Sequence, residues 1–299
     1  MTTRIAAIAM HSTMGEPDLN LERIAGWMRK ANAEGASFVV FNEEGITGSM
    51  NKSDLSFSEA MTIAEHASEK AVPFLESLCR ELEMTAVVGT IEPAGDRFLN
   101  SALIVGPDGY LTTFSKLHLP NKIEREWFEP GPSLPVVTSQ GWTFGVGICF
   151  DVRFPEIFRT AAQHGAELFF VAVGGSGVAD QVTAGGDRSR QARVQIEQTM
   201  KLLPARAIDN GLYVIYANQA GQSGNASFPG FCLAVAPDGS LVGEHATGNE
   251  GMIVVEVSKQ AVEDAKMSGS CTVKAVRPDV YSAPIIVDSP TRQAVRAGL

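Results

Sequence analysis

The stretch Gly145–Glu156, GVGICFDVRFPE, joins a predicted strand to a predicted helix through a cysteine. The apolar run 142–148 is typical of a buried strand, and Pro155 suits the first turn of the helix that follows. Cys149 is therefore expected at a strand-to-helix turn, where backbone N–H groups can face its sulfur and receive negative charge. A small cysteine buried in the core is the other interpretation of this residue, and its neighbours in the fold decide between the two.

The composition is that of an ordinary globular protein, with 44% hydrophobic and 19% charged residues in a chain of 299. The net charge of −10 and the absence of a basic cluster in the sequence argue against a nucleic-acid partner. The four cysteines have no CxxC spacing, which disfavours a disulfide framework or a zinc site. No window approaches the length of a membrane span, and the first apolar run is too short for a signal peptide. We therefore expect a cytoplasmic protein with no membrane partner.

Strands and helices alternate along the chain, which predicts one α/β domain built in layers. Residues 4–10 and 37–41 are expected as strands, joined by a helix that Asn20 caps and Gly35 ends. A second helix, from about residue 58 to residue 82, is expected to break or restart at Pro73. Further strands are predicted at 85–90, 99–105, 110–115, 167–173, 212–217, 231–236, 240–244 and 251–257, with helices after Pro155, at 189–210 and near Ala261. A break of the helix 189–210 at Pro204 is left open.

A weak internal repeat links the two halves of the chain. The pattern Val-x-Pro-Asp-Gly-x-Leu occurs at 105–111 and again at 235–241, each time between two predicted strands. This recurrence is consistent with two sheets related by pseudo-twofold symmetry. Chance recurrence of a common turn explains it equally well.

Three predicted strands end in a residue that can take part in chemistry: Glu43, Lys116 and Cys149. Ligands in layered α/β folds gather outside the carboxyl ends of strands, so we expect the three side chains to converge there. The carboxylate would accept the thiol proton, and the ammonium would stabilise an oxyanion and lower the pKa of the thiol. His118 follows a strand end and is a further candidate near the site. Solvated charges at strand ends are the alternative for Glu43 and Lys116.

Motifs at these positions resemble those of the carbon–nitrogen hydrolase (nitrilase) superfamily. The three that carry the resemblance are FNEEGITG at 41–48, SKLHL at 115–119 and GICFDVRFPE at 147–156. Further matches are Glu124 ahead of Pro130-Gly131, the stretch 206–210 and the stretch 277–281. Six matches in order, over most of the chain up to Tyr281, make the resemblance specific.

The resemblance implies a four-layer αββα sandwich in a single domain, residues 1–281, followed by a C-terminal tail, 282–299. The tail is expected to pack at the interface of a homodimer or a larger homo-oligomer. No metal or organic cofactor is expected.

The resemblance also implies the roles of individual residues. It assigns a catalytic triad to Glu43, Lys116 and Cys149. It implies that Glu124 positions the substrate or the lysine and that the backbone N–H of Phe150 completes the oxyanion site. Gly174 and Gly175 are expected to bind substrate, because they begin a loop that borders it.

Departures from the family pattern leave some points open. Asn42 replaces the usual proline, and two adjacent glutamates compete for the role of base. The distance to Thr47-Gly48 favours Glu43, because Glu44 would point to the opposite side of an extended chain. Glu126 is a weaker rival to Glu124. The loop 174–181 is glycine-rich where many relatives carry proline and tryptophan, so the substrate stays open.

The predicted function is hydrolysis of a small non-peptide amide to a carboxylic acid and ammonia or an amine, through a cysteine thioester. The residues after Cys149 are similar to the amidase and ω-amidase side of the superfamily, which disfavours nitrile hydrolysis. N-carbamoyl amidohydrolysis remains an alternative, because residues 124–131 are similar to that branch. A non-catalytic binding protein on the same fold is the alternative from another class.

Overall fold

The computed structural model describes residues 1–176 and 188–281. Within these ranges the chain forms two six-stranded sheets. The strands are β1 (Thr2–Ala9), β2 (Phe38–Val40), β3 (Thr85–Ala94), β4 (Arg97–Gly106), β5 (Gly109–Ser115), β6 (Val136–Ser139), β7 (Trp142–Ile148), β8 (Leu168–Val173), β9 (Tyr213–Ser223), β10 (Ala226–Val235), β11 (Leu241–His245) and β12 (Gly251–Ser258). The helices are α1 (Pro17–Ala33), α2 (Phe57–Leu82), α3 (Lys122–Trp127), α4 (Pro155–Gln163), α5 (Arg188–Thr199), α6 (Leu203–Asn210), α7 (Lys259–Met267) and α8 (Pro278–Tyr281).

The two sheets repeat one topology. The first has the order β12-β1-β2-β3-β4-β5 and the second β6-β7-β8-β9-β10-β11. Read in these orders, each sheet has one antiparallel pair, then two parallel pairs, then two antiparallel pairs. The Pro-Asp-Gly turns at 107–109 and 237–239 join equivalent strands, β4 to β5 and β10 to β11. This equivalence favours the repeat over chance recurrence of a common turn.

The two sheets pack face to face and helices cover their outer faces. Between the sheets, the Phe38 ring lies 6.1 Å from that of Phe144 and 6.3 Å from that of Phe170. Apolar residues of α1 and α2 pack against the outer face of the first sheet. Those of α4, α5 and α6 pack against the outer face of the second. The predicted αββα sandwich is therefore confirmed.

Two predicted helix boundaries are wrong. Helix α2 continues through Pro73, which is exposed, so the carbonyl left without a partner by the missing N–H lies on the solvent side of the helix. Helix α1 begins at Pro17, ahead of Asn20. The side chain of Asn20 is buried within the helix and bonds to Thr13 and to the carbonyl of Ile46 instead of capping. Gly35 follows the helix with φ of 81°, as a helix stop requires.

The region before Cys149 is more ordered than the sequence indicated. The polar segment 121–135 contains α3, and β6 adds a short edge strand to β7. The helix predicted at 189–210 is two helices, α5 and α6, with Pro204 in the first turn of α6. Most of the glycine-rich loop, residues 177–187, and the predicted tail, 282–299, lie outside the described residues. In the ranges described, no helix combines the length and apolar character needed to span a bilayer.

Candidate active site

The candidate site lies where strands of both sheets end. Glu43 follows β2 and Lys116 follows β5 in the first sheet, whereas Cys149 follows β7 in the second. Glu43 is 3% exposed and Lys116 is fully buried, and Lys116 Nζ lies 2.9 Å from Glu43 Oε1. The electrostatic influence of both charges reaches the Cys149 thiol. The structure thus brings Glu43 and Lys116 into contact, as the strand-end argument expected, and places the Cys149 thiol within range of their charges.

The Glu43 carboxylate is held by donors from three elements. Its Oε1 accepts hydrogen bonds from Lys116 Nζ and from Asn100 Nδ2, the latter at 2.7 Å. Its Oε2 accepts a hydrogen bond of 2.6 Å from the N–H of Gly174, just after β8. Such charge-assisted hydrogen bonds are among the stronger ones in proteins. The carboxylate is therefore oriented by both sheets at once.

Lys116 lies between two carboxylates. Besides Glu43, its Nζ donates a hydrogen bond of 2.6 Å to Oε2 of Glu124. Glu124 is buried in the first turn of α3. Its backbone N–H donates a hydrogen bond to Oδ1 of Asn121, which caps the helix. Glu126 is exposed and pairs with Lys122 instead. The geometry therefore places Glu124, and not Glu126, beside the lysine.

Cys149 occupies a strained turn that Asp151 secures. Its φ of 46° is in the left-handed region, which is uncommon for a residue other than glycine and recurs at functional sites. Asp151 Oδ2 accepts the Ile148 N–H at 3.1 Å, and its Oδ1 accepts the His118 N–H at 3.0 Å. The His118 ring is held by Asp151 at 2.7 Å and stacks on Phe154. Asp151 thus connects the cysteine turn to the segment that carries Lys116, and the backbone and ring of His118 provide the contacts on that segment.

Comparison with known proteins places the chain in a family. The sequence profile described as Carbon-nitrogen hydrolase matches residues 4–267. The chain belongs to the carbon–nitrogen hydrolase family. The predicted resemblance is thereby confirmed.

Relatives in the family have low but extensive similarity to the chain. A nitrilase of Pyrococcus abyssi is 28% identical, over 89% of this chain and 93% of its own length. An omega-amidase of Saccharomyces cerevisiae is 29% identical, over 93% of this chain and 94% of its own. A solved mutant amidase of Nesterenkonia sp. AN1 carries the acetamide moiety of fluoroacetamide on its active site cysteine. It matches with a TM-score of 0.70 and 25% identity, over 88% of this chain and 92% of that one.

The charges of the site set the ionisation of its members. Burial opposes the charge on Glu43, but the positive charges of Lys116 and Lys52 outweigh it and hold the pKa of Glu43 below its usual value. Burial likewise opposes the charge of Lys116, but Glu43, Cys149 and Glu124 raise the pKa of Lys116 well above its usual value. Glu43 and Lys116 are therefore an ion pair at neutral pH.

The expectation of a lowered thiol pKa is wrong for the resting site. Burial and then the negative charge of Glu43 raise the pKa of Cys149, and the opposing effect of Lys116 is smaller. The main physical reason is burial, which disfavours the charged thiolate, and the Lys116 ammonium that could offset it is already paired with two carboxylates. The cysteine of this family member therefore rests as a neutral thiol and needs a base to become a nucleophile.

Glu44, the other glutamate of the motif, has a different environment. The chain is not extended here, as the sequence argument assumed, but turns at Glu44 with φ of 55°. The side chain is 1% exposed, and burial followed by the nearby charge of Glu43 raises the pKa of Glu44 to about 7, against the influence of Lys52. Glu44 therefore holds a proton far more readily than Glu43.

The residues predicted to bind substrate have different surroundings in the structure. Gly174 approaches Glu43 so closely that a Cβ would lie 3.0 Å from Oε2. The N–H of Gly175 donates to Asn218 Oδ1 at 2.9 Å, so this peptide is fixed by β9. Phe150 is partly exposed, with its ring edge-on to Phe154 at 5.4 Å. Substrate contacts of these residues and of Glu124 stay predictions.

Sequence reasoning missed Asn100 and Asp151 as members of the site. Asn100 is a polar residue at the start of the apolar run 99–105, and it is 1% exposed. That break in the pattern was the available signal, because a buried amide needs a partner. Asp151 lies within the quoted cysteine motif but had no role assigned. No group of three or more His, Cys, Asp and Glu side chains suited to a metal occurs in residues 1–176 and 188–281.

Proposed function

We propose that the protein hydrolyses a small non-peptide amide to a carboxylic acid and ammonia or an amine, through a thioester on Cys149. One observation supports the proposal most directly: Glu43 and Lys116 form a buried pair whose charges influence the Cys149 thiol, at the ends of β2, β5 and β7. A base, a fixed positive charge and a nucleophile are the three groups that acyl transfer needs.

In the first half-reaction, Glu43 accepts the thiol proton as the sulfur attacks the carbonyl carbon. The oxyanion that forms is stabilised by the Lys116 ammonium and by the N–H of Phe150. The proton then passes from Glu43 to the leaving nitrogen, the carbon–nitrogen bond breaks, and ammonia or an amine departs. Since the pKa of Glu43 lies below its usual value, the base is ready at neutral pH.

In the second half-reaction, water attacks the thioester. Glu43 removes a proton from that water, and the same donors stabilise the second oxyanion. The carbon–sulfur bond breaks, the carboxylic acid leaves, and the proton returns to the thiol. No other reactant is needed, so the scheme uses neither a metal nor an organic cofactor. Glu124 positions Lys116 throughout, at 2.6 Å.

The related amidases support the amide as substrate class and the cysteine as nucleophile. In the Nesterenkonia amidase mutant, the acetamide moiety of fluoroacetamide is added covalently at the active site cysteine. The Saccharomyces relative is an omega-amidase, whereas the Pyrococcus relative is called a nitrilase, so nitriles are one alternative to include in the test.

A substrate panel tests the proposal. Ammonia release is measured with small amides, N-carbamoyl amines and nitriles, of which the carbamoyl substrates also release carbon dioxide. We expect turnover with amides, and a loss of about 10³-fold or more in kcat for Cys149→Ala and Glu43→Gln. Lys116→Met is expected to lose about 10²–10³-fold.

Glu44→Gln is the matched control for Glu43→Gln, because the two residues are adjacent and both buried. It should keep kcat within about tenfold of the wild type, since its carboxyl is not the base in this scheme. Full activity of Cys149→Ala, or equal losses in the two glutamine variants, would contradict the proposed mechanism. A preference for nitriles or carbamoyl amines would replace the substrate class and leave the roles of the residues intact.

Localisation and assembly are proposed on the sequence argument alone. We propose a cytoplasmic enzyme that forms a homodimer or a larger homo-oligomer, with a domain of residues 1–281 and a tail, 282–299, at the interface. Light scattering of the full chain and of a chain ending at Tyr281 tests this: loss of the oligomer on truncation is expected.

A further inference from the structure

A second lysine, Lys52, connects the two sheets beside the site. It ends the short 3-10 helix Met50–Lys52, which follows the Glu43 turn. Its Nζ donates a hydrogen bond of 2.9 Å to the carbonyl oxygen of Gly174 and lies 5.0 Å from the centre of the Phe228 ring. The side chain thus links the segment after β2 in the first sheet to the residue after β8 in the second, whose N–H contacts Glu43.

Gly174 is held on both sides of its Cα. Its carbonyl is fixed by Lys52, and its N–H donates to Glu43 Oε2 at 2.6 Å. The other oxygen of Glu43 has two donors, Lys116 and Asn100. Among residues 1–176 and 188–281, the Gly174 N–H is the one hydrogen-bond donor recorded at Oε2. The orientation of Oε2 therefore depends on the peptide that Lys52 anchors.

The positive charge of Lys52 also acts on several ionisable groups of the site. Within the described ranges, no carboxylate forms an ion pair with it at 4.0 Å or less. Its positive charge nevertheless favours the ionised forms of Glu43, Glu44, Glu124 and Cys149. Lys116 is paired with two buried carboxylates, Glu43 and Glu124, so a second cation offsets part of their negative charge.

We propose that Lys52 is a positioning residue for the catalytic glutamate: it anchors the Gly174 carbonyl so that the Gly174 N–H stays on Glu43 Oε2, and it supplies the second positive charge that faces the carboxylates. This inference rests on the proposed function, because Glu43 must be the base. The competing explanation is purely structural, with the Lys52 stem packed on Phe228 to hold the loop.

Three variants separate these explanations. Lys52→Met keeps the length and apolar packing of the stem but removes the charge and the hydrogen bond. Lys52→Arg keeps a cation and donors. Lys30→Met is the matched control, since Lys30 also lies over an aromatic ring, Trp27, at 4.9 Å, but on an outer helix. Lys52→Gln replaces the methionine variant if the latter does not fold, as judged by circular dichroism.

The measurement is kcat and KM for an amide substrate as a function of pH. For Lys52→Met we expect kcat to fall about 10- to 100-fold, a part of what a positioned base contributes, while KM stays within about threefold. The acid limb of the pH profile should move to higher pH, because loss of a cation raises the pKa of Glu43. The other titratable groups that influence Glu43 are the same in this variant as in the wild type. They are Lys116, Glu44, Glu124 and the Cys149 thiol. Lys52→Arg should recover part of both effects, and Lys30→Met should match the wild type.

Two results would overturn the inference: wild-type kcat and acid limb in Lys52→Met, or a lower kcat with an unmoved acid limb, which is the structural outcome. Iodoacetamide alkylation of Cys149, followed by peptide mass spectrometry, gives a second readout that needs no substrate. Its acid limb should shift in the same direction in Lys52→Met, and an unshifted limb overturns the inference. A wild-type protein that turns over no amide defeats the proposed function instead, while the alkylation profile still tests Lys52.

Discussion

At the scale of single residues, two neighbouring glutamates have pKa values that are shifted in opposite directions. Glu43 meets two ammonium charges and direct hydrogen bonds, which keep its pKa low. Glu44 is equally buried, but one of its carboxyl oxygens, Oε2, has no hydrogen-bond partner. Environments that push the pKa values of two carboxyls apart separate their roles. Glu43 is therefore ionised at neutral pH and able to serve as a base, whereas Glu44, with a pKa of about 7, is mostly protonated only below neutral pH.

The raised pKa of Glu44 predicts a pH-dependent stability. Below the usual pKa of glutamate, both folded and unfolded chains hold the proton and there is no penalty. As pH rises to about 7, the unfolded chain ionises while the folded chain keeps the proton, so the free energy of unfolding falls and then levels off. Glu44→Gln cannot ionise, so relative to the wild type it should gain about 1–3 kcal/mol between pH 5 and pH 8.

Urea unfolding at the two pH values measures this gain. The exposed Glu22→Gln is the control and should show no such change between the two. A Glu44→Gln variant whose stability follows the wild type at both pH values would show that the buried carboxyl ionises freely in the folded state.

At the scale of elements, the unit β7–turn–α4 is packed without spare volume. A Cβ added at Gly145 would lie 2.8 Å from the Phe169 ring and 2.9 Å from the Cβ of Ala161. Both neighbours are buried core residues, so neither can move away at low cost. The glycines before Cys149 thus let the helix and strand approach closely enough to fix the turn that carries the thiol.

Gly145→Ala is therefore expected to lower the free energy of unfolding by about 1–3 kcal/mol, through overpacking. The matched control is Gly26→Ala on α1, where nothing lies within 4 Å of the added Cβ and φ is not positive. This control should gain about 0.5–1 kcal/mol from helix propensity. Denaturant titration of both variants is the measurement. Equal effects of the two substitutions would mean that β7 and α4 do not pack as described.

The elements around Cys149 were largely predictable from the sequence, because local patterns of residues determine them. Strand β7, the turn at Cys149 and the start of α4 at Pro155 follow from apolar runs and proline placement. Proline was a poorer guide at Pro73, because an exposed position tolerates the missing hydrogen bond. Asn20 was wrongly predicted to cap α1, because its side chain instead donates a hydrogen bond to the carbonyl oxygen of Ile46, which is distant in sequence. Local patterns cannot reveal such distant partners.

The same limit applies to the site. Glu43, Lys116 and Cys149 were selected because each ends a strand, which is a local signal. The positive φ of Cys149 and Glu44, and the charges that keep the thiol neutral, depend on residues from several elements. Lys52 gave no signal in the sequence, since a lysine after a turn is usually a solvated charge. Its importance depends on Gly174, which only the packing of the two sheets brings near.

At the scale of the whole molecule, aromatic rings join the two sheets. Phe38 of β2 meets Phe144 of β7 and Phe170 of β8, and those two rings lie 5.2 Å apart. Because Glu43 follows a strand of the first sheet and Cys149 a strand of the second, the packing of these rings sets how the two parts of the site face each other. Stability and activity should therefore be lost together.

Phe38→Ala tests this coupling. Loss of a ring that is 1% exposed should lower the free energy of unfolding by about 3–5 kcal/mol. Circular dichroism and amide turnover should decline at the same denaturant concentration. Phe57→Ala, at a ring that is 41% exposed, is the control with a smaller expected loss. Activity that disappears well before the secondary structure would indicate that the sheets separate while each stays folded.

The position of β12 has a consequence for synthesis of the chain. It borders β1 in the first sheet, with Thr2 beside Ser258 and Ala9 beside Gly251. On the ribosome, β1 emerges long before β12, so one side of an apolar strand lacks its hydrogen-bonding partner until β12 has been synthesised. Unpaired strand edges of this kind are where nascent chains associate with one another. Chains that stop before Gly251 should therefore aggregate, and a chaperone that shields β1 would benefit this protein more than one that binds β12.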